Sequence, residues 1–369
     1  MSRWLGRTVA IALMLALVST ACQRQDPAQR EAVATDVPAD APAWVAALAE
    51  RVERIDRAMP GEFGVYVKRL GENDGILDRG GDRRWYLSST IKVPVAMAVL
   101  EQVDEGELAL QDQRVLAESD FVDGSGDLIW QKPGSRYTVA DLLEKSLQDS
   151  DSTATDMLIR LIGQRRLNQR VQAWSGGGFG PLTTIQQVRY DVYGAAHPGV
   201  AKLSNMDLVR LRNAEAGEPR LQALAQALGV PRSELDAGTL DALFENYYRR
   251  GDNSATLRAF AAVLEQLAAG QLLGPESRQR VLGHMRRIST GARRIQAGLP
   301  EGADFAQKTG TQIGRACNLG IIDPDRGRDG AVVVVACAER FDALAEAEQA
   351  FEQLGTALVD VGLVQAGAR

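Results

Sequence analysis

Residues 315–338, R-A-C-N-L-G-I-I-D-P-D-R-G-R-D-G-A-V-V-V-V-A-C-A, decide the fold. Arg315 to Ile322 and Ala331 to Ala338 are two largely apolar runs. The Asp-, Arg- and Gly-rich segment between them supplies a turn, so the pair reads as a hairpin. Far upstream, Phe63, Val65 and Val67 alternate with Gly64, Tyr66 and Lys68 in a strand period, and Gly75 to Trp85 is expected to hold that strand's hairpin partner. Trp44, Val45, Leu48, Val52 and Ile55 recur instead at helical spacing, predicting a helix that ends near Met59. Further helices are expected over Ser89 to Leu110, Val139 to Ile162, Ala255 to Gln271 and Phe341 to about Leu354. Strands at both ends with helices between them predict an α/β (α+β) protein, with one antiparallel sheet formed by both chain termini and flanked by helices. The helical middle then forms a second, all-helical lobe, and a cleft between the two is the natural place for a site. A hairpin centred on Gly327 places Cys317 opposite Cys337, where an oxidising compartment would join them in a cross-strand disulfide; two buried thiols are the alternative.

The chain has 369 residues, 45% hydrophobic and 24% charged, enough to bury one large core or two smaller ones. A net charge of −6 leaves no basic excess for phosphates, which argues against a nucleic-acid partner. Two histidines and three cysteines, without metal-ligand spacing, disfavour a metal-dependent hydrolase; no metal and no cofactor are expected. At the N-terminus, Arg3 and Arg7 precede the apolar run Val9 to Val18, which ends in Ser19-Thr20-Ala21-Cys22. That order reads as an export signal, too short to span a membrane. It resembles a bacterial lipoprotein signal over residues 1–22, with Ser19 in place of the usual leucine; the resemblance implies lipidation of Cys22 and a periplasmic protein anchored to a membrane, the outer membrane being expected. Residues 23–42 are Ala-, Asp-, Gln- and Pro-rich and read as a disordered tether, leaving 43–369 as the folded domain.

Three short motifs follow one another: Ser89-Thr90-Ile91-Lys92, Ser150-Asp151-Ser152 and Lys308-Thr309-Gly310. Each is weak alone, since Ser89 or Ser150 could cap a helix and Lys92 could lie on the surface. In this order they resemble the penicillin-recognising serine hydrolases, and within them the class A β-lactamases. The segments Y-L-S-S-T-I-K-V-P-V-A-M-A-V-L (86–100), S-D-S-T-A-T-D-M-L-I (150–159) and G-A-R-R-I-Q-A-G-L-P-E-G (291–302) extend the likeness, which covers about 60–175 and 252–355. A serine hydroxyl needs a base within reach, and Lys92, one helical turn on from Ser89, supplies one if burial or the neighbouring Lys308 cation lowers its pKa. Ser150 can both accept and donate, so it can relay the proton to a leaving nitrogen. The N–H at the helix start near Ser89 and, by the family pattern, that of Thr311 would hold the oxyanion. The resemblance further assigns substrate contacts to Ser152, Thr309, Gly310, Thr311 and Arg294; Ser152 stands where the family usually has asparagine, and Arg294 could instead be a solvated surface residue.

Class A enzymes place a deacylating glutamate in the loop after the second motif, but no glutamate occurs between Met157 and Ala214. The segment Asp252-Asn253-Ser254-Ala255-Thr256, expected to open the next helix, comes late by the family pattern, so about 188–251 reads as an insertion. Arg189-Tyr190-Asp191 has the arginine-aromatic-acid order of the family's loop, which makes Asp191 the candidate base. Glu215, Glu218, Glu234 and Glu245 of the insertion are the reserves. The expectation is a monomeric serine hydrolase that opens β-lactam amides through an acyl-enzyme on Ser89. The alternatives are a D,D-peptidase, amidase or esterase on cell-wall peptides, and a penicillin-binding lipoprotein that does not turn over.

Overall fold

The period of two in the terminal segments gives each strand two apolar faces, and each face needs a cover. A computed structural model describes residues 35–71 and 75–365. Its chain opens with β1 (Thr35–Asp36), α1 (Ala43–Ala58), β2 (Glu62–Arg69) and β3 (Ile76–Arg79). β4 (Arg84–Tyr86) leads through a helical turn, Ser88–Ile91, into α2 (Lys92–Asp104). The lobe follows with β5 (Gln113–Val115), β6 (Arg136–Thr138), α3 (Val139–Gln148), α4 (Ser152–Ile162) and α5 (Gln164–Ser175). Then come α6 (Ile185–Gly194), α7 (Asn205–Leu211), α8 (Glu218–Leu228) and α9 (Leu240–Tyr248). β7 (Ser254–Thr256), α10 (Leu257–Ala268), α11 (Pro275–Arg286) and α12 (Ile295–Gly298) return the chain to the sheet. It closes with β8 (Phe305–Gln312), β9 (Arg315–Ile322), β10 (Val332–Glu339) and α13 (Leu344–Asp360).

Among the described residues, six strands form one antiparallel sheet in the order β1-β3-β2-β10-β9-β8, so both ends of the chain build it. The fold class expected from the sequence is the one found. Phe63, Val65 and Val67 of β2 and Val334 and Ala336 of β10 face α1 and α13, in a core with Leu48, Val52 and Phe351. The alternate residues Tyr66, Val333 and Val335 face a second core with α2 and α10. A third cluster belongs to α6–α9, where Val188, Val192, Leu224, Leu243 and Phe244 pack together and onto Tyr86. The segment read as an insertion thus has its own apolar core, joined to the rest beside the strand that precedes Ser89.

Several local expectations are corrected. The helix foreseen over Val139 to Ile162 is two, α3 and α4, broken where Ser150 takes a φ of +56°. The helix from Ser89 stops at Asp104, before Gly106 at φ +75°. Within Gly75 to Trp85 only β3 pairs with β2, whereas β4 pairs with β7, in the segment expected to be helical from Asp252. The expected tether, residues 23–42, extends too far: Thr35 pairs with Arg79, whose Nη1 donates to the Thr35 hydroxyl at 3.0 Å. The predicted signal and Cys22 lie outside the described residues.

Candidate active site

Ser89 lies in the single turn that feeds α2, half-exposed, with Ser88 before it held at a left-handed φ of +49°. For a non-glycine residue that conformation persists only where its surroundings over-determine it. Here Leu87 donates its N–H to Asn253 O at 2.9 Å, and Thr90 returns its hydroxyl to Leu87 O at 2.7 Å. β8 completes the fit from the other side. A Cβ on Gly310 would fall 2.5 Å from Leu87 O and 3.0 Å from Ser89 N, so only glycine lets the strand lie this close to the turn.

Lys92 and Lys308 are both fully buried, and both reach one hydroxyl. Lys92 Nζ donates to Ser150 Oγ at 3.1 Å and Lys308 Nζ to the same atom at 3.0 Å. Lys92 also donates to Ser150 O and, at 3.4 Å, to Ser152 Oγ. Burial lowers Lys92 to about 7, with the Asp151 and Asp156 carboxylates opposing the shift. Of the two causes the sequence allowed, burial and the Lys308 cation, burial is the main one. The same desolvation, with Lys92 and Arg294 adding to it, holds Lys308 well below the ordinary lysine range. Asp151 caps α4 by accepting from Ala154 N at 2.8 Å, and its second oxygen accepts from Leu128 N at 2.9 Å, which ties the loop 124–128 to the motif.

Ser89, Ser150, Ser152, Thr309, Thr311 and Arg294 line one cleft of about 370 Å³, a small-molecule size. Gly310, between Thr309 and Thr311, packs against the Leu87–Ser89 turn. Arg294 is not the solvated residue the sequence allowed. It is buried, and it donates to Gly310 O at 3.0 Å, Cys317 O at 2.8 Å and Thr311 Oγ1 at 2.5 Å, binding β8 to β9 from below. Burial brings it down to about 10, so it remains a cation at neutral pH. Cys317 and Cys337 lie opposite each other in the β9–β10 ladder and are joined as a disulfide. Cys317 is also the register partner of Gly310.

Asp191 does not meet its expectation. It does not line the cleft, and its carboxylate is engaged by Arg250 at 3.2 Å and by Gln187 Nε2 at 2.9 Å. Glu215, Glu218, Glu234 and Glu245 also stand outside; Glu218 pairs with Arg232 and Glu245 with Arg315. Ile185, Val188 and Arg189 of α6 line the cleft instead. Asp156, fully buried, fixes the start of that helix by accepting from Ile185 N at 2.7 Å and Gln186 N at 2.8 Å. Burial raises its carboxyl to about 6 against the effect of those bonds. Among the described residues, Glu348 of α13 is the one carboxylate that lines the cleft, and it pairs with Arg293 at 2.9 Å. Sequence reading missed Asn253, whose left-handed φ of +48° lets its side chain accept from Thr183 N at 2.8 Å while its carbonyl holds Leu87. Asparagine before serine in a turn was the available signal. It also missed Ser125, whose hydroxyl donates to Ser150 O at 2.5 Å.

A model described as the beta-lactamase enzyme family matches residues 47–361. A β-lactamase of Mycobacterium tuberculosis is 28% identical over 337 residues, covering 91% of this chain and 90% of the relative. The OXY-2 β-lactamase of Klebsiella oxytoca is 24% identical over 287 residues, covering 76% and 77%. Among solved structures, a β-lactamase from Sphaerobacter thermophilus superimposes with a TM-score of 0.63 at 24% identity, covering 87% of this chain and 99% of that one. A mutant of PBP-A, solved as an acyl-enzyme complex with penicillin G, gives 0.62 at 24% identity, covering 88% and 98%.

Proposed function

Because the chain belongs to the beta-lactamase enzyme family and is a serine β-lactamase-like hydrolase, we propose that it opens β-lactams by acylation of Ser89 and releases the product slowly. The observation that carries this reading is the Ser150 hydroxyl shared by two buried lysines beside the nucleophile's turn. Neutral Lys92 takes the Ser89 proton as Oγ attacks the lactam carbonyl. The carbonyl oxygen gathers charge facing the N–H groups of Ser89 and Thr311. When the C–N bond breaks, Ser150 gives its proton to the leaving nitrogen and recovers one from Lys92, while Lys308 holds the Ser150 oxygen in place. Thr309, Thr311 and Arg294 stand where the ring carboxylate would lie, and Ser152 where the acyl side chain would. Slow release is supported by the wall that α6 presents: Ile185, Val188 and Arg189, with no carboxylate to activate water.

The same wall favours a second reading, a penicillin-binding protein that keeps its adduct, and the acylating half would equally serve a D-Ala-D-Ala peptide. Intact-mass measurement over time after mixing with benzylpenicillin decides among them. A transient adduct on Ser89 marks turnover and a lasting adduct marks binding. No adduct overturns the acyl-enzyme reading. We further propose export and lipid anchoring through Cys22, testable by whether Cys22→Ala moves the protein from membrane to soluble fractions.

A further inference from the structure

We propose that the Ser152 end of the cleft is an anion subsite, formed by Arg189 of α6 and Arg212 just after α7, and that it selects substrates whose acyl side chain carries a carboxylate. The inference rests on the acyl-enzyme reading above and specifies its substrate. Arg189 lines the cleft, about nine-tenths buried, and pairs through Nε with Asp123 at 3.2 Å while Nη2 donates to Asp123 O at 3.1 Å. Its Nη1 has no hydrogen-bond partner among the described residues. Arg212 shares the same carboxylate at 3.9 Å, donates to Gly124 O at 3.2 Å and lies 5.5 Å above the ring of Trp130, which is 68% exposed. Two guanidinium groups thus share one carboxylate, a surplus of one positive charge among these described residues, with Arg189 in the cleft wall and Arg212 behind Gly124.

The position of that charge identifies what it would meet. A Cβ on Gly124 would fall 2.2 Å from Ser152 Oγ, and Ser125 O accepts from Ser152 N at 2.9 Å, so the pair stands behind the part of the cleft that Ser152 forms. Arg294 lies under the other end, with Thr311 and Gly310. A substrate lying across Ser89 would therefore have a cation near each end, one for the carboxylate on its ring and one for a second carboxylate on its side chain. A guanidinium that is partly desolvated and already oriented recognises such a group more strongly than a free surface charge does.

The test compares acylation of Ser89 by benzylpenicillin and by its α-carboxylated analogue, which differ by one side-chain carboxylate, using second-order rates from intact mass. The ratio of analogue to parent is expected to fall about tenfold in Arg212→Gln and in Arg189→Gln, the scale of one hydrogen bond to a charged group. It is expected to rise in Asp123→Asn, which removes the compensating charge and needs neither arginine changed. Raising the salt should compress the wild-type ratio. Phenylmalonate, which has the carboxylated side chain and no lactam, gives the same comparison by calorimetry without acylation, with weaker binding in both arginine variants. Adducts with a ratio unmoved in all three variants overturn the anion subsite. A wild type that binds phenylmalonate through the arginines yet forms no adduct with either penicillin overturns the acyl-enzyme reading and keeps the subsite. Phenylmalonate binding that is indifferent to the arginines overturns the subsite in either case.

Discussion

Ser150 combines a left-handed backbone, φ +56°, with a hydroxyl that accepts from two lysines. Lys92 serves as base only when neutral. With its ammonium brought down to about 7 by burial, it is protonated and inert below that pH and able to accept a proton above it. Acylation by benzylpenicillin is therefore expected to rise with pH around a midpoint near 7 and to level off above it. A stopped-flow profile that is flat from pH 5 to 9 would remove Lys92 from the role. The same shift makes the unfolded chain bind more protons than the folded one between about 7 and the ordinary 10.5, so Lys92 contributes a stability that rises with pH across that window. Ser89→Ala should abolish the adduct, and Lys92→Ala should slow its formation by several orders of magnitude, because nucleophile and base act as one unit. An undiminished adduct in the Ser89→Ala protein would contradict the assignment.

At the scale of an element, α6 decides what the cleft lacks. Asp156 of α4 pins its first two N–H groups, and the helix then turns Ile185, Val188 and Arg189 to the cleft while Asp191 points to Arg250. Helical geometry explains the split: at 3.6 residues per turn Ile185, Val188 and Arg189 fall in one arc, and Asp191 lies about 100° round the helix from its middle, beside Arg250. Asp191→Asn should accordingly leave the lifetime of the acyl-enzyme within about twofold, whereas the loss of a general base would cost about a hundredfold or more. Ile185→Glu places a carboxylate on the cleft wall, and the adduct measured by intact mass should decay at least about tenfold faster. An unaltered lifetime in Ile185→Glu together with a prolonged one in Asp191→Asn would reverse this view of the helix. The sequence could not show the orientation, because Arg189-Tyr190-Asp191 reads identically whichever face is turned inward.

On the scale of the whole molecule, β2 and β10, from opposite ends of the described chain, pair in one sheet, and the Cys317–Cys337 disulfide ties β9 to β10 next to the strand that carries Lys308. It closes a separation of 20 residues, and the Cys317→Ala/Cys337→Ala variant is expected to lose about 2–4 kcal/mol in urea unfolding. Full labelling of both thiols in the denatured, unreduced protein would show the bond absent. The sequence by itself showed β2 through its period of two and β9 and β10 as apolar runs about a turn, and the centring of that hairpin on Gly327 set Cys317 opposite Cys337 without choosing between a disulfide and two thiols. It also determined the order of the three motifs, since covalent spacing along one helical turn or one strand is preserved in any fold. Tertiary structure alone decided the rest. The apolar period lapses over the polar run 148–153 and resumes at Ala154, but the left-handed turn at Ser150 became visible only where Lys92 and Lys308 converge on it. Lys92 becomes a base through burial, a property of its surroundings rather than of its own segment. The carboxylates of the insertion were assigned by their nearest arginines, Asp191 to Arg250 and Glu245 to Arg315, because ion pairing depends on distance in space and not along the chain.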